Sequence, residues 1–77
     1  MIEIHTLIQN EIKKIDSINI EEIDRLALKE DYFSKNGILR NMYNKICEND
    51  FDSRETSRLL SKLSILRMKV IKIVGEL

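Results

Sequence analysis

Cys47 and His5 are the only cysteine and the only histidine, so a nucleophile–base pair would have to be built from these two. A thiol attacks as its thiolate, and it needs a base or a cation beside it to form one. No sequence context supports that pairing. Cys47 follows Ile46 and reads as a small buried hydrophobe. His5 adjoins Ile4 and reads as a surface residue. A zinc site needs three or four Cys, His or acidic ligands at short spacings, and no such set is present. The acids gather at expected helix starts, where capping accounts for them. No glycine-rich phosphate loop occurs. The expectation is a non-enzymatic protein without catalytic residue, cofactor, metal or small-molecule ligand.

What remains chemically distinctive is charge and apolar surface on one segment, "SRLLSKLSILRMKVIKIVGEL". Thr56, Leu59, Leu63, Leu66, Val70, Ile73 and Leu77 alternate steps of three and four, an a/d seam over three heptads. Such a stripe is the packing face of a bundle helix, or else a coiled-coil contact with another chain. Arg54, Arg58, Lys62, Lys69 and Lys72 fall on the other side, within about 80° of one another. Ile65 lies in their middle and Met68 at one edge, and Ile71 also leaves the seam. Six basic and four acidic residues occupy 50–77, against seven and nine in 1–49. A solvated lysine-rich face is the plain reading. The functional one is a docking strip for an acidic protein, with Arg58, Lys62, Ile65, Met68, Lys69 and Lys72 as the contact residues.

Nucleic acid is the alternative partner, through a small DNA-binding regulator using the same strip. The net charge of zero weakens it, because phosphate binding normally rests on a larger positive excess. A helix-turn-helix reading of 52–77 would put its turn near Ser61. The flanking positions that should be buried hold Lys62 and Arg67, and the seam passes through without a change of phase. One continuous helix fits better.

Four helical segments must position this surface. Ile4, Ile8, Ile12 and Ile15 share a face, with Leu7 beside them, and predict a helix over about 3–16. "SINIEEID" predicts the next start. Asn19 is the expected N-cap, Glu22 completes a capping box, and Ile18 and Ile23 have the staple spacing. Over 20–34, Ile23, Leu26, Ala27 and Phe33 hold one phase, while Leu28 and Tyr32 fall off it and are expected on another helix of the bundle. Leu39, Met42, Tyr43 and Ile46 hold a different phase over 38–49, with the Tyr43 hydroxyl expected at the rim of the core. A straight helix cannot bury both sets on one neighbour. A break is therefore expected at "SKNG", with Asn-Gly as a left-handed cap, rather than one long kinked helix. "ENDFDSRE" gives an antiparallel hairpin at 50–53. Asp52 caps the last helix there, Glu55 stands at N3, and Gly75 stops the helix after Val74.

The whole is expected to be one all-α domain over 1–77, a bundle of three to four helices. A 77-residue chain buries only about 60% of its unfolded surface, and its core rarely supplies more than ~3–5 kcal/mol. With no disulfide possible, regular helix packing, self-association through the last helix or a partner must make up the rest. The acidic start is not that of a secretory signal, and no apolar run suits a membrane span. A lone cysteine fits a reducing compartment, so a cytoplasmic location without membrane contact is expected. The abundance of Ile, Lys and Asn suggests a bacterial or phage genome rich in A and T.

"KIVGEL", closing a helical hairpin, resembles the small co-chaperones of type III secretion needles. "MYNKICENDFDSRETSRLL" resembles the hairpins of sporulation phosphatases and of bacteriocin immunity proteins. Ser64 stands where the sporulation family would have its signature aspartate. No residue role carries over from these resemblances. What they imply is a partner-binding helical protein of the adaptor, inhibitor, chaperone or immunity type.

Overall fold

A computed structural model describes residues 3–75. Four helices follow one another: α1 (Ile4–Asp16), α2 (Arg25–Phe33), α3 (Ile38–Glu48) and α4 (Ser53–Val74). The fold is an all-α bundle, about 40 × 23 × 22 Å. The 22-residue α4 is its spine, roughly 33 Å long at 1.5 Å per residue, and it packs on the other three helices. α1 runs parallel to it, because His5 meets Glu55 at one end and Asp16 meets Lys69 at the other. α2 and α3 form one interrupted arm running the opposite way, and 49–52 turns the chain into α4.

The seam does what a bundle face does. Leu59, Leu66 and Val70 are wholly buried and Leu63 nearly so, against Ile8, Ile12 and Ile15 of α1, Leu28 and Tyr32 of α2, and Met42 and Ile46 of α3. Each such side chain contributes roughly 1.5–3 kcal/mol by leaving water. The seam from Leu59 to Val70 is therefore taken up inside the fold of the single chain. The stripe's last member, Leu77, lies outside the described residues.

The cap of α4 forms as expected on one side only. Asp52 Oδ1 accepts from the Glu55 backbone N–H at 2.8 Å, but the Glu55 side chain turns to His5 instead of closing the box. Gly75, at φ 81°, ends the helix and donates to the Ile71 carbonyl at 2.8 Å. A positive φ there is open to glycine at little cost.

The second helix corrects the reading in three ways. It starts at Arg25, not near 20, because Asp24 Oδ1 caps Ala27 N–H at 3.1 Å. Asn19 Oδ1 instead accepts from Glu21 N–H at 3.1 Å, a local turn that competes with helix. Ile18 and Ile23 still reach the core edge. The buried face of α2 is Leu28 and Tyr32, as expected of residues packing on another helix. Its longer apolar phase is only partly turned outward: Leu26 is 76% exposed and Ala27 is exposed, whereas Ile23 and Phe33 are half-buried and pack on the core edge.

The break falls at 34–37, as expected, but glycine serves another purpose there. Gly37 has φ −76° and is the N-cap of α3, not a left-handed stop. A Cβ on it would lie 2.9 Å from both the carbonyl carbon and oxygen of Tyr32. The residue is glycine because α3 starts against the last turn of α2.

Candidate protein-binding surfaces

His5 is not a plain surface residue. Its ring is half-buried and Nε2 donates to the Glu55 carboxylate, while Nδ1 is buried without a hydrogen-bond partner. Cys47 is exposed rather than buried, because α3 turns Met42 and Ile46 inward and leaves the next position facing out. Cys47 does not line the cleft around His5, which is formed with Leu7, Lys45, Asn49, Phe51 and Glu55. The sequence's one conceivable nucleophile and base are therefore not brought together there. Among the described residues no group of three or more Cys, His, Asp or Glu could hold a metal ion.

Among the described residues the one buried side chain with a hydroxyl sits between α1 and α2. Tyr32 is 1% exposed, and its hydroxyl donates to Glu11 Oε2 at 2.6 Å. Burial, the bond to Glu11 and the nearby charges of Glu11 and Asp31 push the phenol well above its ordinary value. A neutral, hydrogen-bonded tyrosine facing a carboxylate is a structural strut. It ties helices whose backbones do not otherwise touch.

The strip on α4 is displayed much as the wheel predicts. Ile65 is 50% and Met68 49% exposed, while Ile71 is half-buried. α4 carries six cations and one acid, Glu55, which is held by His5. Lys69 differs from expectation: its Nζ donates to Asp16 Oδ1 at 2.8 Å, so it is committed to α1. Lys62 is half-buried, with its stem over the α1–α4 junction beside His5. Arg58 and Lys72 are exposed, and neither belongs to an ion pair among the described residues.

A second surface was not singled out from sequence. Where the α2–α3 break meets α4, an open groove of about 560 Å³ has Phe33, Leu39, Tyr43 and Leu60 along it. Its charged members are Lys35, Arg40 and Arg67, with no acid among the lining residues. Tyr43 and Leu60, 46% and 37% exposed, correct the expectation that Tyr43 is core. The groove lies where the link at 34–37 between α2 and α3 passes α4. Its residues come from three segments, so no single periodicity announces it.

Comparison of the chain with protein-family models, with curated proteins and with solved structures gives no match. Among the described residues no helix is long and apolar enough to cross a membrane. The chemistry of these surfaces is what carries a functional reading.

Proposed function

We propose that this chain is a non-enzymatic protein-binding module of the adaptor, inhibitor, chaperone or immunity type, acting from the outward side of α4. The observation that carries this reading is the half-exposure of Ile65 and Met68 on a helix with six cations and one engaged acid. Apolar anchors within a cationic surround fit an acidic amphipathic segment. The anchors supply affinity by leaving water, and the charges steer approach. Among the described residues Arg54, Arg58 and Lys72 of the strip are exposed and enter no ion pair. Lys62 lends its stem, and Lys69 first has to leave Asp16. The absence of strong basic excess and of exposed stacking aromatics on this side favours protein over nucleic acid.

The test is selection from a displayed library of helical peptides about four turns long, with charged and apolar positions randomised. Enriched sequences should be acidic with two or three apolar anchors, and their binding should vanish with Ile65→Glu/Met68→Glu. Enrichment without acidic bias, or binding indifferent to that double substitution, would refute the reading. Steeply salt-dependent binding to duplex DNA, lost on Arg58→Ala/Lys62→Ala, would establish the nucleic-acid alternative instead.

A further inference from the structure

One row of side chains joins the groove to the α4 strip. Leu60, Ser64 and Met68 are spaced by four, so they follow one another along α4 over about 12 Å. Leu60 and Ser64 line the groove, and Met68 is an anchor of the strip. Leu60 is 37% and Met68 49% exposed, and the small, exposed Ser64 leaves the row low between them. Tyr43 of α3, 46% exposed, supplies apolar surface from the other side of the groove. The charged lining is three cations, Lys35, Arg40 and Arg67, in a chain whose 13 basic and 13 acidic residues balance. All three are exposed, and none enters an ion pair among the described residues. Glu30 and Asp31 of α2 are the acids closest in sequence to Lys35, and neither lines the groove.

We propose that the groove is the second anchor site for the acidic partner of the α4 strip. One acidic, amphipathic helical segment of that partner seats one apolar side chain between Tyr43 and Leu60 and another on Ile65 and Met68, along the row that joins them. This rests on the reading of the α4 strip as a protein contact, and it adds residues of α3 and of the α2–α3 link to that contact. Charge selects the occupant. Lys35, Arg40 and Arg67 surround the groove, and Arg58 and Lys72 stand exposed on the strip, so an acidic segment meets opposite charge along its whole length. Nucleic acid fits less well. A single strand is held by a basic channel with aromatic rings on which successive bases stack. Here Tyr43 is the one exposed aromatic among the lining residues. The geometry also sets a spacing. Anchors about 12 Å apart on one face of a helix are about seven residues, or two turns, apart. Ile65 and Met68 alone would ask only for anchors about three or four residues apart.

The experiment is selection of displayed helical peptides about four turns long against the full chain, followed by affinity measurements on single enriched peptides. Enriched peptides should be acidic and carry apolar residues about seven apart. Two groove variants are then read. Tyr43→Ser/Leu60→Ser removes apolar surface at positions outside the core. Arg40→Glu/Arg67→Glu reverses charge at exposed residues that enter no ion pair among the described residues. Each should raise the peptide Kd at least about tenfold. Changing the acids beside the groove-side anchor to lysine should restore binding to the reversed variant, a rescue that an unfolded variant could not give. Peptides whose anchors stand only about three or four apart, and which bind both groove variants like the wild type, would overturn the proposal. If such peptides were still lost on Ile65→Glu/Met68→Glu, the reading of the α4 strip would stand without it. Binding lost on the groove variants but indifferent to Ile65→Glu/Met68→Glu would overturn both, because no single segment would then cover groove and strip. A short oligothymidylate that binds in place of any peptide, with a steep salt dependence and loss on Arg40→Glu/Arg67→Glu, would overturn the choice of occupant.

Discussion

Replacing Tyr32 by phenylalanine removes one hydroxyl and leaves the packed ring. The lost interaction is a 2.6 Å bond to a carboxylate from a ring 1% exposed. Hydrogen bonds to charged groups contribute about 1.5–3 kcal/mol, but Glu11 is only half-buried and can take water in exchange. The expected cost at pH 7 is therefore about 1–2 kcal/mol. Alkaline pH gives an independent check. In the unfolded chain the phenol ionises near pH 10. In the folded protein burial first, and then the Glu11 bond, hold the proton on well beyond that. Below pH 10 both states keep the proton and stability is unaffected by this group. Above it the unfolded state binds fewer protons, so stability falls by up to about 1.4 kcal/mol per pH unit. By pH 11.5 that amounts to about 2 kcal/mol. Urea unfolding followed by circular dichroism at a series of pH values reads both effects. Wild type should be the more stable protein at pH 7, and its lead should shrink to nothing or reverse by pH 11.5. The rest of the chain is common to both proteins and cancels in the difference. Parallel stability–pH curves would refute the assignment of Tyr32 as a neutral buried donor.

Two further substitutions test the helix junctions. Gly37→Ala should destabilise by about 1–3 kcal/mol in the same urea assay, because the new Cβ meets backbone of Tyr32 that cannot yield as a side chain would. A gain in stability would mean that α3 does not start against α2. Asp24→Ala should cost about 1 kcal/mol as loss of an N-cap, whereas Asn19→Ala should cost a few tenths at most. The reverse order would restore the start of α2 to residue 20.

Most of the fold is legible because its long elements repeat one spacing many times. α1 and α4 carry their apolar stripes over three or more turns, and the seam from Leu59 to Val70 is buried without exception. α4's ends are legible for a local reason: Asp52 and Gly75 act within a few residues of themselves. α2 was misread because nine residues give little more than two turns, and two stripes fit them. Ile23, Leu26, Ala27 and Phe33 outnumber Leu28 and Tyr32, yet the smaller set is the core. Tyr32 alone among them has a polar group that finds Glu11 when buried, so the inward choice satisfies a donor as well as covering a large ring. His5 and Cys47 were misplaced for a related reason, since the periodicity of a helix face does not tell which neighbour stands beside it.

The outward stripe of α2 bears on function more than on the fold. A surface selected only for solubility has no reason to keep apolar residues in helical phase, and scattered exposed leucines need no explanation. Leu26 and Phe33 are in phase, and Phe33 opens directly onto Leu39, Tyr43 and Leu60. The continuity crosses from α2 to α3 and α4 over the break at 34–37. The charged residues lining the groove are Lys35, Arg40 and Arg67, so this apolar surface stands in a cationic surround. The α4 strip is likewise cationic around Ile65 and Met68. Both apolar surfaces, the α4 strip and the groove, thus have cations around them, which on the proposed function suits an acidic partner at either.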